Sequence, residues 1–222
     1  MTILGILLGC DDQTHMLFHD RLDAARQLAQ RLSHYRGENP LVLAIPRGAV
    51  PMGRLMADAL GGELDVVLVR KLRSPFNPEF AIGAIDESGA YQLSEEAAFA
   101  GGSREYLEHE RDEQWAKIRE RRLAWSRLRP PISPEARIVI VVDDGLATGA
   151  TMAAALRFLR ERHPKRLIMA APVASPAGIA QVTPYAEEVV ALDIPAQFGS
   201  VSQFYRNFSQ VQDEEVAQLL AA

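Results

Sequence analysis

The sequence predicts an α/β domain, doubly wound about a mainly parallel sheet. Aliphatic runs at 41–45, 64–69, 138–142, 166–173 and 188–193 alternate with segments of helical periodicity, the order that builds a parallel sheet with helices on its faces. The run Ile138-Val139-Ile140-Val141-Val142 is apolar and β-branched at every position, as a strand covered on both faces must be. It then ends abruptly in Asp143-Asp144-Gly145. Two adjacent carboxylates cannot stay unpaired in an apolar interior, so they belong at the strand's carboxyl edge, where open α/β sheets bind ligands.

In order along the chain, Leu22, Ala25, Leu28, Ala29 and Leu32 recur at helical spacing over 20–32, with Arg21, Asp23, Arg26, Gln27 and Arg31 opposite; this reads as a packing helix. Leu41 to Ile45 reads as a buried strand that runs into Pro46-Arg47-Gly48-Ala49-Val50-Pro51, with a helix over about 52–60. Arg47 offers a planar fork of donors matched to phosphate oxygens, and Gly48 permits backbone geometry other residues resist. Leu64 to Val69 reads as the next strand, ending in Arg70-Lys71-Leu72. That basic pair faces the acids or forms a solvated strand edge.

Two prolines hold the start of 73–85 extended. Glu79 and Asp86 there are candidates for a base or for acceptor recognition, or are ordinary loop carboxylates. Residues 94–127 read as helical. Their Arg-Glu pairs suit a solvated, partly docked helix better than a nucleic-acid helix, although Trp115 and Trp125 interleave with basic residues. Pro130-Pro131-Ile132-Ser133-Pro134 breaks that helix before the acidic strand.

After Asp143 and Asp144, the small residues Gly145, Ala147, Gly149 and Ala150 leave peptide N–H groups open to an anion, and Thr148 and Thr151 add hydroxyls. A helix over about 152–162 aims its positive end there. Together these make a phosphate cradle beside two acceptors for hydroxyl groups, a description that ribose 5-phosphate fits. No Gly-x-Gly-x-x-Gly and no phosphate-loop lysine is present. Strands at 166–173 and 188–193 complete the sheet, and the aromatic tail Phe198, Phe204, Tyr205, Phe208 either covers a ligand or anchors the chain end.

Val141-Val142-Asp143-Asp144-Gly145-Leu146-Ala147-Thr148-Gly149-Ala150-Thr151 resembles the phosphoribosyl-pyrophosphate (PRPP) motif of type I phosphoribosyltransferases. The 46–51 loop resembles that family's pyrophosphate loop. The run Arg70-Lys71-Leu72 with Pro75-Phe76-Asn77-Pro78-Glu79-Phe80-Ala81-Ile82-Gly83-Ala84 resembles a subgroup of predicted phosphoribosyltransferases whose acceptor is not established.

The resemblance implies that Asp143 and Asp144 hold the ribose hydroxyls and that Ala147 to Thr151, with Gly145, wrap the 5-phosphate. Arg47, Gly48 and Lys71 would serve the diphosphate, and Mg2+ would be held mainly by PRPP and water, with no direct protein ligand. It implies a flap or helical insert over about 73–135, in a phosphoribosyltransferase domain at 16–222, and a hood or tail over about 194–222. Phe198 or Tyr205 would cover the acceptor ring. A homodimer is implied by analogy. Ala49 departs from the Arg-Gly-Gly common in the family. Ala147 stands where the hypoxanthine-guanine branch carries an aspartate, which argues against that branch.

With 48% hydrophobic and 24% charged residues, the 222-residue chain suits one core plus a small accessory unit rather than two full domains. A net charge of −5 and pI near 5.6 disfavour a nucleic-acid surface. The single cysteine, Cys10, excludes an internal disulfide framework and points to the cytoplasm. Residues 1–15 read as an N-terminal extension. Their apolar stretch Ile3 to Leu8 lacks a basic leader and is too short to cross a bilayer. His15 and His19 read as surface histidines. The expected activity is transfer of ribose 5-phosphate from PRPP to a nitrogenous acceptor; the alternative is a PRPP or nucleotide sensor without turnover.

Overall fold

The computed structural model describes residues 18–77, 80–94, 97–100 and 102–221. Cys10, His15 and Glu79 lie outside these residues, as does the 1–15 segment. In chain order the elements are α1 (Arg21–Arg31), β1 (Leu41–Ala44), α2 (Val50–Leu60), β2 (Glu63–Val66), β3 (Val69–Arg73), β4 (Ala81–Asp86), β5 (Tyr91–Leu93), α3 (Ala97–Ala100), α4 (Arg104–Ser126), β6 (Ile138–Val142), α5 (Ala150–Arg160), β7 (Arg166–Val173), α6 (Pro176–Val182), β8 (Glu188–Asp193) and α7 (Asp213–Ala221).

A five-stranded parallel sheet runs β2-β1-β6-β7-β8. Successive strand residues point to opposite faces, and here both faces are covered. Val42, Ala44, Ile140, Val142, Ile168 and Ala170 pack toward α1 and α2. Leu43, Val139, Val141, Leu167 and Met169 pack toward α5. This is why the strands read as unbroken aliphatic runs rather than alternating ones. The expected doubly wound, mainly parallel α/β fold is the fold of the protein.

The structure departs from the expected elements in the 64–127 region. The strand expected over 64–69 is two strands: β2 ends at Val66, and β3 leaves the core sheet to pair antiparallel with β4, which pairs with β5. Arg70, Lys71 and Arg73 cannot enter a layer buried on both faces, whereas a small antiparallel sheet leaves one face open. Residues 69–126 therefore form an antiparallel sheet followed by helices. Its helical part also breaks: Gly102 has φ 71° and Ser103 caps α4 by accepting from the Tyr106 N–H at 3.2 Å. Trp125 is buried, and Trp115 donates its ring N–H to the Glu87 carbonyl at 3.3 Å, so both tryptophans dock α4.

Candidate active site

In the order β2-β1-β6-β7-β8 the chain leaves β1 toward one edge and returns at β6 toward the other. The loops beyond β1 and β6 therefore diverge, and a crevice opens between them at the carboxyl ends of the strands. The two acids and the Arg47 loop flank that crevice.

Asp143 and Asp144 lie just past β6. The Asp143 Oδ1 accepts the Asp144 N–H at 2.9 Å. Asp144 Oδ2 accepts from Arg21 through Nε at 2.8 Å and lies 2.8 Å from Nη2. Arg21 stands on the first turn of α1, which is pinned by its cap: Asp20 Oδ1 accepts the Asp23 N–H at 2.8 Å. The Arg21 guanidinium also covers the Phe208 ring at 3.7 Å and donates to the Ser209 carbonyl at 2.6 Å. Helical periodicity alone places Arg21 on the solvent face and gives no sign of this pairing. The signal lay in the acids themselves, since two carboxylates at a buried strand end require a cation from elsewhere in the chain.

Gly48 lies against the same carboxylate. A Cβ there would sit 2.2 Å from Asp144 Oδ2 and 3.0 Å from Arg21 Nη2. The Pro46–Arg47 peptide is cis, with Ala49 in place of a second glycine. The loop 145–149 is braced from behind. Ser175 Oγ donates to the Ala147 carbonyl and accepts the Gly178 N–H at 2.8 Å. Gly149, at φ 78°, begins α5 only 2.7 Å, measured from where a Cβ would be, from the Gly178 carbonyl. Ala147 and Thr148 are exposed, and Ala150 and Thr151 half-buried. Among the described residues the amide N–H groups of Ala147, Thr148 and Gly149 carry no hydrogen bond, so they are available to an anion at the positive end of α5.

Arg47 faces the C-terminal helix, its Nη1 3.7 Å from Asp213 Oδ2. Lys71 is exposed on β3, not at the end of a core strand as its sequence position suggested. Its charge nevertheless favours ionisation of Asp143. Arg70 lies beside it and donates to Gln114 Oε1 at 2.7 Å. Asp86 is locked into the β4–β5 turn, accepting from the Ser88 N–H at 2.8 Å and the Ser88 hydroxyl at 2.6 Å. His19 pairs with Asp20 at 3.1 Å, with 70% of its side chain exposed.

The aromatic tail returns to the acids. Tyr205 is buried, its hydroxyl donates to the Asp144 carbonyl at 2.6 Å, and its ring lies 5.5 Å from Phe18 and 5.0 Å from Phe208. Phe198 is half-buried against Phe204 at 5.2 Å. Tyr205 is thus committed to holding the tail on the acid loop. Of the two, Phe198 is the more exposed ring.

Burial pushes the Asp143 carboxyl well above the ordinary carboxylate range, and Asp144 beside it adds to the rise; Lys71 and Arg21 oppose it. Burial also raises Asp144, against the pull of Arg21. A carboxyl whose folded-state pKa is raised holds its proton longer when folded than when unfolded, so its contribution to stability is complete below the unfolded value and is lost as pH rises through the folded one. The Asp143→Asn variant is therefore expected to gain stability over the parent as the pH climbs from about 4, near the ordinary aspartate value, toward neutrality. Denaturant unfolding of the ligand-free chain across that range checks this, and a pH-independent difference contradicts it.

Among the described residues no group of three or more His, Cys, Asp or Glu side chains gathers to hold a metal ion. Magnesium binds differently, largely through substrate phosphates and retained water, and an open anion loop beside the Asp143–Asp144 edge fits a metal carried on a bound phosphate ligand. Among the described residues no helix is long and apolar enough to cross a membrane.

A family model described as a phosphoribosyl transferase domain matches residues 15–208. The chain belongs to the phosphoribosyl transferase family. A Mycobacterium tuberculosis (strain H37Rv) protein, named provisionally as a phosphoribosyl transferase, is 40% identical over 208 residues, which cover 92% of this chain and 46% of the relative. The chain thus spans about half the length of the curated relatives it first matches. Uracil phosphoribosyltransferase from Desulfitobacterium hafniense is 39% identical over 59 residues, 27% of this chain and 28% of its own. Among solved structures, the protein TT1426 from Thermus thermophilus is 43% identical with a TM-score of 0.78, covering 93% of this chain and 98% of that one.

Proposed function

We propose that this phosphoribosyl transferase family member is an enzyme that moves ribose 5-phosphate from PRPP to a nitrogen nucleophile and releases diphosphate. One observation carries the reading: a desolvated carboxylate pair sits at the switch point of the sheet, against the Gly48 backbone on one side and the open amides of Ala147 to Gly149 on the other.

In this reading the ribose hydroxyls donate to Asp143 and Asp144, which replaces the water those carboxylates lost on burial. The 5-phosphate accepts from the Ala147–Thr151 loop, helped by the Thr148 and Thr151 hydroxyls and the α5 dipole. The bond from the anomeric carbon to diphosphate breaks, with its electron pair leaving on the diphosphate, as the nitrogen forms a bond to that carbon and sheds a proton. Positive charge that develops on the ribose ring is stabilised by Asp143 and Asp144, and negative charge on the leaving group by Arg47 and Lys71. Mg2+ bound mainly through PRPP supplies further neutralisation of the leaving diphosphate. Phe198 covers the acceptor ring, while Tyr205 positions the tail. A homodimer follows from the family resemblance, and a cytoplasmic location from the single cysteine, Cys10.

The test is diphosphate release from PRPP and Mg2+ across purines, pyrimidines and other amines. The expected result is release that depends on one acceptor class. If PRPP binds yet neither an acceptor nor water yields diphosphate, the chain is a PRPP-binding regulatory protein instead.

A further inference from the structure

Beyond β1 and β2 lies a cavity of about 300 Å3. Five cations line it: Arg70, Lys71 and Arg73 from β3, and Lys117 and Arg121 from α4. Pro46 and Thr151 also line it, so it adjoins both the Arg47 loop and the phosphate loop. Gln114, Lys117, Ile118 and Arg121 follow one another at helical spacing and make up one face of α4. Three of the cations have acidic neighbours of their own: Arg73 with Glu110 at 3.8 Å, Lys117 with Glu113, and Arg121 with Asp213 at 3.4 Å. Arg70 bonds instead to the neutral Gln114 amide. Burial disfavours its charged form, and Arg121 and Arg73 add to this; an incoming anion relieves that repulsion.

A second observation concerns the arrangement of the cations rather than the cavity's lining. Arg121 of α4 and Arg47 of the β1 loop, from different parts of the chain, converge on one oxygen, Asp213 Oδ2, at 3.4 and 3.7 Å. The other oxygen, Asp213 Oδ1, is buried and has no hydrogen-bond donor among the described residues. Two guanidinium groups aimed at a loosely held carboxylate define an anion position, and the carboxylate there is half satisfied.

We infer that Arg121, with Lys117 beside it, is a second leaving-group cation that grips the diphosphate opposite Arg47, and that Asp213 occupies the shared anion position until diphosphate displaces it. This rests on the PRPP reading above and extends it to the helical insert. It makes α4 part of the site, and it makes the first turn of α7 a competitor for the same two arginines.

Titration calorimetry of the full chain with two probes, inorganic diphosphate with Mg2+ and ribose 5-phosphate, tests it. Arg121→Gln is expected to weaken diphosphate binding about 10- to 100-fold, the effect of losing one charge-assisted contact, and to leave ribose 5-phosphate binding unchanged. Arg121→Lys recovers part of the loss, and Asp213→Asn tightens diphosphate binding severalfold. Unchanged diphosphate affinity in Arg121→Gln overturns the inference. So does an equal loss of both probes, which marks a general structural effect. If the parent chain binds ribose 5-phosphate and PRPP while Arg121→Gln and Asp213→Asn change nothing, the inference fails and the transferase reading stands. If the parent binds neither, both fail.

Discussion

Replacing Gly48 by alanine is expected to weaken capture of Mg-PRPP by about 100-fold or more, with little loss of fold. The new methyl group would lie 2.2 Å from Asp144 Oδ2 and 3.0 Å from Arg21 Nη2, well inside contact distance, so the loop or the carboxylate must move. Neither moves freely. Asp144 is held by two nitrogens of Arg21, and its own carbonyl accepts from Tyr205. The loop therefore retreats and carries Arg47 with it. Displacing Arg47 forfeits its charge-assisted hydrogen bonds to the diphosphate, worth about 1.5–3 kcal/mol each, so losing two of them costs on the order of 100-fold in affinity or more. Backbone strain plays no part, because Gly48 is not among the residues of positive φ; the constraint is space alone. Equilibrium binding of Mg-PRPP to the Gly48→Ala chain checks this, and parental affinity contradicts it.

The largest effect on stability is expected at Arg122. Its guanidinium donates to Glu87 through Nε at 2.8 Å and Nη2 at 2.5 Å, to the Val66 carbonyl at 2.7 Å, and to Asp65 Oδ1 at 3.4 Å. Only 19% of the Arg122 side chain is exposed, and 16% and 11% of Glu87 and Asp65. Those acids are themselves tied in: Glu87 Oε1 accepts the Leu68 N–H at 2.8 Å and Asp65 Oδ2 the Ile132 N–H at 2.9 Å. One side chain thus joins α4, the end of β2, the β4–β5 turn and the 130–134 linker. Arg122→Ala leaves two neighbouring buried carboxylates without their cation, a change that costs about 3–5 kcal/mol. Lysine cannot reproduce the fork, so Arg122→Lys is expected to recover only part of the loss. Denaturant unfolding measures it; a loss below about 1 kcal/mol contradicts this account of how the insert is fastened to the core.

The core of the fold was legible in the sequence because its cause is local. Every position of Ile138 to Val142 is apolar since both faces of β6 are covered, and the same holds for β1 and, beyond the exposed Arg166 that opens it, for β7. The acid pair and the small-residue loop were legible for the same reason: they sit next to each other in the chain. The exit of Val69 to Arg73 from the core sheet was not, because an apolar run followed by two cations reads equally as a strand end or as the first strand of a second sheet. The choice depends on partners as distant as Ala81 to Asp86. Arg21 escaped for a similar reason, its partner lying 123 residues away. Tyr205 was recognised as an aromatic of the tail, but its bond to the Asp144 carbonyl is a tertiary fact without a sequence signal.

The central claim is that the Asp143–Asp144 edge and the loop after it form a PRPP site. Titration calorimetry of the full chain with Mg-PRPP tests this most directly, alongside an Asp143→Asn/Asp144→Asn variant whose folding is verified by its unfolding transition. The account predicts saturable binding by the parent chain and a loss of about 100-fold or more in the variant, the scale expected when buried polar partners of a ligand are removed. Absence of saturable binding by the parent, or equal affinity in the folded variant, would contradict it.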